Sequence, residues 1–476
     1  KEVFHYFEEL SMVPRSTFHT KKISDFCVEF AKAHNLEYIQ DEMNNVIIKK
    51  PGTAGYEDSD PVIIQGHLDM VATKTTDSDH DFEHDPLDLF VDGDLIGAKN
   101  TTLGGDDGIA VAYAMAILAS TDIPHPPIEA VFTVDEEIGM GGAHHLDTSV
   151  LKGKICLNID SEIEGVMTVG CAGGYIYDTF IPIEWSEESG TKMTISLSNL
   201  QGGHSGDDIN KGRGNAIKIL NRFLWDLNER YGLLVASLEG GNLRNAIARE
   251  ANAVIVFDEV LKENIRVDFN MYAAEMEEVW KITEPGLQLE LESVDLPGEV
   301  LTQEFTNKLL NALYACPHGV FAMSYRMPGM VETSTNLAAV KFIENDTILI
   351  TTSQRSDVDS EKMNIAHMVA AVFRLIGAEV EHGEGYPGWA PNPESAILKI
   401  AVESYKQLFG YEPVVRSIHA GLECGLFLDK YPTLDMISFG PTLTGVHSPD
   451  ERMLIPTVEK FWKHLLDILA HVPAKK

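Results

Sequence analysis

Two spacings of apolar residues alternate along the chain. Phe4, Phe7 and Leu10, then Ile23, Phe26 and Phe30, recur at helical intervals, and Pro14 with Ser16-Thr17 marks a break and restart between them. Residues 37–50 and 62–66 read as strands, and the second, Val62-Ile-Ile-Gln-Gly66, is apolar enough to lie at the centre of a parallel sheet. Leu103-Gly-Gly-Asp-Asp-Gly108 is a glycine-rich loop opening a helix over 109–118, and Ile128–Val134 and Lys154–Asp160 are two further strands. From about residue 186 the character changes. Thr194–Leu200 alternates as a strand, Lys211–Glu229 carries a helical stripe (Ile217, Leu220, Phe223, Leu224, Leu227), and strands at 253–257, 287–294 and 347–352 interleave with helices at 258–277, 303–316 and 361–377. This middle region reads as two α+β units in tandem. Residues 382–393, rich in glycine and proline, form the clearest linker. A helix at 394–409, a strand at 433–439 and an amphipathic helix from Thr457 (Phe461, Trp462, Leu465, Leu466, Leu469) complete the pattern.

With 476 residues the chain is too long for one ordinary core. Hydrophobic residues make up 44% and charged residues 23%, which is a globular rather than a disordered composition. Asp and Glu outnumber Lys and Arg by 73 to 37, and the net charge of −36 argues against nucleic acid or an anionic membrane as partner. No apolar run approaches the roughly 18–20 residues of a membrane span. The opening Lys-Glu-Val-Phe-His-Tyr-Phe has no signal-peptide pattern. Cys27, Cys156, Cys171, Cys316 and Cys424 are scattered, with no Cys-x-x-Cys, and read as reduced, mostly buried thiols of a cytoplasmic protein.

Candidate chemistry gathers at strand ends. His67 follows the strand at 62–66, with Asp69 two residues on; burying that carboxylate calls for a partner, which a metal-bound imidazole would supply. Asp135-Glu136-Glu137 ends the next strand, Asp160 the one after, and Asp106-Asp107 stands at a helix start, where one of the pair could serve as a cap. His447 lies just past the strand at 433–439. In an open α/β sheet this edge binds ligands, and acids converging there repel one another unless cations sit between them. Asp77–Asp85, with two histidines, reads instead as a solvated loop. Gly203-His-Ser-Gly-Asp207 lacks the second glycine of a serine-hydrolase elbow, and 103–108 lacks the lysine and spacing of a phosphate loop.

Taken in order, His67-Leu-Asp69, Gly105-Asp-Asp-Gly108, Asp135-Glu-Glu137, Asn158-Ile-Asp160 and Gly445-Val-His447-Ser-Pro resemble the M20 family of dinuclear zinc peptidases, most closely its aminoacyl-histidine dipeptidase branch. The resemblance covers essentially the whole chain, including Gly202–Gly214 and His419–Gly425. It implies a zinc-peptidase-type α/β catalytic domain at 1–186 and 384–476, interrupted by an α+β lid domain at 187–383. It implies that Asp106 bridges two Zn²⁺ ions, for which Mn²⁺ or Co²⁺ could substitute, with His67 and Asp160 completing one site and Glu137 and His447 the other. Glu136 would be the general base acting on a hydroxide shared by the ions, Asp69 would orient His67, and a cis peptide would follow Asp106. His204 would match the family's lid histidine, which polarises the scissile carbonyl, and Asn245 and Arg355 would bind substrate, Arg355 through its C-terminal carboxylate.

The expected activity is hydrolysis of dipeptides with a free N-terminus, Xaa-His favoured. A tripeptidase or N-acyl-amino-acid deacylase on the same scaffold is the alternative within hydrolases. A non-catalytic cation- or peptide-binding protein is the alternative outside them, and the spare carboxylate of Glu136 beside Glu137 counts against it. The doubled lid is compatible with a homodimer without requiring one. Glu423 is left with two readings, contact with substrate or support of a loop.

Overall fold

Val62–His67 is buried at all six positions, and the first unit is assembled around it. The structure is a computed structural model that describes residues 1–187, 190–295, 298–383 and 385–472. It divides into two compact units: residues 1–171, 389–417 and 422 onward, and residues 172–388 with 418–421.

In the first unit, eight strands form one sheet in the order Glu37–Gln40, Val46–Lys50, Ile128–Thr133, Val62–His67, Ile155–Asn158, Asp435–Ser438, Val166–Cys171 and Val414–Ile418. The four central strands from 128–133 to 435–438 run parallel. Burial on both faces explains why they read as mostly apolar runs rather than alternating ones. The helix Gly105–Ala119 is covered all round from Gly108 to Leu118, as its run of alanines and aliphatics requires. The helix Lys21–Ala33 is amphipathic and buries Ile23, Cys27, Val28, Phe30 and Ala31. The expected strand at 37–50 is two strands, paired as a hairpin with Glu37 opposite Lys49. Asp77–Asp85 contains no helix or strand.

The second unit carries a nine-stranded sheet. One half is β-α-β-β-α-β: Thr191–Ser198, helix Ala216–Tyr231, Leu234–Gly240, Ala251–Phe257, helix Lys262–Trp280 and Gln288–Val294. The other half uses Gly173–Pro182, helix Gln303–Ala315, Val331–Ile343, Thr347–Ser356, helix Asp359–Arg374 and Glu379–His382. In each half the fourth strand lies beside the first, the first beside the third and the third beside the second. The halves join where Leu234–Gly240 meets Val331–Ile343. The two α+β units are therefore nested rather than in tandem, since the first strand of the second half precedes the whole of the first half. That strand, Gly173–Pro182, pairs with Thr347–Ser356 along its full length, Gly173 opposite Ser356. Partners so distant in sequence leave no mark in local periodicity, so the unit begins at Ala172 and not at the expected 187. Its apolar core includes Ile195, Leu220, Phe223, Leu224, Ile255, Leu309 and Ile350.

Candidate metal centre

The parallel strands of the first unit deliver their side chains to one edge. His67 ends its strand, Asp135-Glu136-Glu137 follows Ile128–Thr133, and Asp160 follows Ile155–Asn158. Nε2 of His67 lies 3.1 Å from Oδ1 of Asp106, 3.7 Å from Oδ1 of Asp160 and 4.0 Å from Oε2 of Glu136. Nε2 of His447 lies 3.2 Å from the other oxygen of Asp106 and 3.0 Å from Oε2 of Glu137. Asp106 thus faces one histidine with each carboxylate oxygen. Ligand-capable atoms of His67, Asp106 and Asp160 lie within 4.8 Å of one another, as do those of Asp106, Glu137 and His447. A third such group, His67 with Glu136 and Glu137, brings in the remaining carboxylate. The Asp106–Asp107 peptide is cis.

Around these groups a set of buried and half-buried partners fixes the geometry. Nδ1 of His67 is 3.1 Å from the carbonyl of Asp69 and 3.4 Å from its Oδ1. Asp69 also accepts from the hydroxyl of Thr17 at 3.0 Å and from the backbone N–H groups of Glu136 and Glu137 at 3.1 and 3.3 Å. One carboxylate therefore holds the His67 ring and the turn carrying both glutamates. Asp107 accepts from the N–H of His67 at 3.2 Å.

Neither aspartate caps the helix at 105. Glu451 does that work, its two oxygens accepting from the N–H groups of Leu103, Gly104, Gly105 and Asp106. The guanidinium of Arg15, only 2% exposed, spans the carbonyls of Leu68, Asp69 and Gly104 and so ties the loop after His67 to the loop before Asp106. Arg15 and Glu451 have no motif in the sequence. Their importance lies in contacts across 89 and 346 residues.

The electrostatics are those of a site with too many acids. Burial raises Glu136 and Asp160 well above the usual carboxylate range, His67 opposing and neighbouring carboxylates adding to the rise. Burial raises Glu137 too, and its Oε1 is buried without a partner. Hydrogen bonds to Asp106 and Glu137 lift His447 to about 11. Burial would lower His67, but Asp106 and Asp69 outweigh it and hold the ring well above its ordinary value. Imidazoles forced to protonate among carboxylates forced towards neutrality are what cation sites look like without their charge. The donors, histidine nitrogens and carboxylate oxygens with no thiolate, fit a zinc-like ion.

Glu423, 0% exposed, does not reach the centre: its Oε2 accepts from Gln65 Nε2 at 2.6 Å and Thr133 Oγ1 at 2.7 Å.

The remaining expected site residues belong to the second unit. Nδ1 of His204 accepts from the N–H groups of Gly206 and Asp207 at 3.3 and 3.2 Å. That fixes the neutral tautomer with its proton on Nε2. Burial, and then the charge of Arg355, push the ring below its ordinary pKa, so the neutral form prevails. Nη2 of Arg355 lies 3.4 Å from that same Nε2, so two donors point into one space and neither satisfies the other. Arg355 is 8% exposed and meets only neutral groups, Tyr386 Oη at 3.0 Å and Ser205 Oγ at 3.4 Å. No ion pair to it occurs among the described residues. Asn245 reaches this cluster through its carbonyl, which accepts from the N–H of Ser205 at 2.8 Å, while the residue itself is exposed. Tyr386 and His419, the latter 2.7 Å from Ser334 Oγ, are members that the sequence did not single out.

The sequence profile of peptidase family M20/M25/M40 matches residues 63–471. The chain belongs to this family. Among M20 proteins it is 38% identical over 471 residues to the cytosol non-specific dipeptidase of Escherichia coli (strain K12), covering 98% of this chain and 97% of that one. The crystal structure of aminoacylhistidine dipeptidase from Vibrio alginolyticus superposes with a TM-score of 0.91 at 38% identity, over 100% of this chain and 97% of that one. A tripeptidase from Staphylococcus aureus, at 17% identity and a TM-score of 0.57 over 99% of this chain and 98% of its own, is similar in fold. M20 membership makes this chain a metallopeptidase, in agreement with the donor set at the strand edge. Among the described residues no helix is long and apolar enough to cross a membrane.

Proposed function

We propose that this chain is a cytoplasmic dipeptidase that cleaves dipeptides with a free N-terminus, aminoacyl-histidine substrates favoured, with two Zn²⁺ ions per chain. The observation that carries the reading is Asp106, whose two oxygens face His67 and His447 at 3.1 and 3.2 Å. His67, Asp106 and Asp160 would hold one ion, and Asp106, Glu137 and His447 the other. When bound, such ions acidify a water and polarise a carbonyl oxygen. Mn²⁺ or Co²⁺ would be accepted by the same donors.

The chain's own residues supply the rest. Glu136, left over from the two ligand sets, takes the proton from the attacking water and returns it to the departing amine; its raised pKa suits a group that must hold that proton between the two events. Asp69 keeps the His67 ring turned and its Nδ1 engaged. In the second unit, Arg355 offers an unpaired guanidinium to the C-terminal carboxylate of a substrate, and His204 offers Nε2–H to an oxygen that gains charge. Asn245, whose carbonyl accepts from the N–H of Ser205 beside His204, is assigned to substrate binding as well. The cytoplasmic setting is supported by the cytosolic name of the Escherichia coli relative and by the scattered, buried positions of the five cysteines.

The test is hydrolysis of Ala-His, Gly-Gly-Gly and acetyl-Ala by chelated protein, before and after Zn²⁺ is restored. Zinc-dependent cleavage of Ala-His alone is expected. Cleavage of Gly-Gly-Gly or acetyl-Ala would move the chain to a tripeptidase or a deacylase, and zinc binding with no cleavage at all would overturn the enzymatic reading.

A further inference from the structure

Glu423 is the first residue of the helix Glu423–Lys430 and is 0% exposed. Its Oε2 accepts from Gln65 and Thr133, and Gln65 in turn accepts, through Oε1, from the amide of Asn158. These three partners stand on three adjacent parallel strands, with Gln65 opposite Asn158 and His67 opposite Thr133. Each precedes a group at the strand edge by two or three residues: Gln65 before His67, Asn158 before Asp160, Thr133 before Glu136. Residues two apart on a strand share a face, so Gln65 lies directly behind His67. The carboxylate therefore links two of these strands directly, and the third through Gln65, behind His67, Asp160 and the turn that carries Glu136 and Glu137.

Holding those donors does not require a negative charge. A glutamine in the same place would accept through its amide oxygen from the same two groups. The acid is instead a liability to the metal-free protein. Its Oε1 is buried without a partner, no lysine or arginine pairs with it among the described residues, and it adds to the repulsion felt by Glu136 and Asp107. Burial raises its carboxyl to about 7, so the anion is favoured where something else supplies positive charge.

We propose that Glu423 is a positioning residue of the metal centre, a buried anion that locks the three ligand-bearing strand ends in register and contributes negative charge to the retention of the cations. The proposal rests on the reading of His67, Asp106, Glu137, Asp160 and His447 as cation ligands. It has a signature that a structural role lacks: the charge should weaken the metal-free fold and strengthen the metal-loaded one.

The experiment compares the parent chain with Glu423→Gln, Glu423→Asp and Glu423→Leu, measuring the melting temperature of the chelated protein and the competing-chelator concentration that removes half the bound Zn²⁺. Glu423→Gln should melt no lower than the parent when metal-free, yet lose zinc at about 10- to 100-fold lower chelator, the range expected for partners behind a ligand. Glu423→Asp should keep zinc better than Glu423→Gln, because it keeps the charge. Glu423→Leu strands the Gln65 and Thr133 donors and should melt lower without metal. Parent-like zinc retention in Glu423→Gln, a lowered metal-free melting temperature in that variant, or equal losses in the Gln and Asp variants would each overturn the proposal. A parent chain that binds no zinc would instead overturn the ligand reading on which it rests.

Discussion

The two units leave opposite charges unanswered. In the first, His67 and His447 face Asp106, Glu136, Glu137 and Asp160, and the excess is negative. In the second, Arg355 is nearly buried and its neighbours, the Tyr386 and Ser205 hydroxyls and a neutral His204, carry no charge, so the excess is positive. Neither arrangement helps the fold, since a buried charge without a partner costs more than it returns. On the proposed reading each has a counterpart in a ligand: cations at the acidic cluster, an anionic group at the guanidinium. The two clusters thus call for partners of opposite sign, each within its own unit.

The strongest way to break this comparison is at Glu136, which the proposed ligand sets leave out. Glu136→Gln removes the proton carrier and one repelling charge. Turnover of Ala-His should fall about 10²- to 10⁴-fold, the usual contribution of a general base, while zinc content by elemental analysis stays at the parent value. If zinc is lost along with activity, Glu136 belongs with the ligands, and the division of labour between it and Glu137 is wrong.

The next effect belongs to the other unit. Arg355→Ala should raise KM for Ala-His by about 10- to 150-fold, corresponding to the roughly 1.5–3 kcal/mol of hydrogen bonding to a charged group. For the same dipeptide capped as a C-terminal amide, the parent should already bind weakly and the substitution should change little. Zinc retention should be untouched. An equal loss on both substrates would show that the guanidinium serves the fold of the second unit rather than a carboxylate.

The acidic cluster was legible in the sequence and the cationic one mostly was not, for a physical reason. His67, Glu136 and Asp160 each follow a short, mostly apolar strand, so a central parallel strand and its ligand-bearing edge are written in neighbouring residues. Arg15, Glu451 and Glu423 act on that edge from far along the chain, and nothing in their immediate neighbours announces it. The glycine loop at 103–108 suggested self-capping by Asp106 or Asp107, whereas its amides are collected by Glu451. In the second unit the nested topology hid the first strand, Gly173–Pro182, and with it the place where the unit begins. His204 and Arg355 emerged through short motifs, and Tyr386, in a stretch read only as linker, did not emerge at all.

Tyr386 offers the smallest and most discriminating test of the comparison. Its ring lies against two residues that have no side chain: a Cβ on Gly421 would come within 2.7 Å of it, and one on Gly174 would collide with it. Lys362 donates to its carbonyl at 2.8 Å, so backbone and ring are both fixed. The hydroxyl accepts from Nη1 of Arg355 at 3.0 Å, which leaves its own proton free to donate beside the guanidinium. If the unanswered charge of this unit is meant for a carboxylate, that proton is a second donor to the same group. Tyr386→Phe keeps the packing and deletes both hydrogen bonds, so KM for Ala-His should rise about 2- to 12-fold, equivalent to roughly 0.5–1.5 kcal/mol, with kcat and melting temperature near the parent values. In an Arg355→Ala background the same change should have almost no effect, because the two groups act on one carboxylate and couple. Additive losses in the double variant would separate the tyrosine from the arginine, and the cationic cluster would then be a lone guanidinium rather than a built receptor.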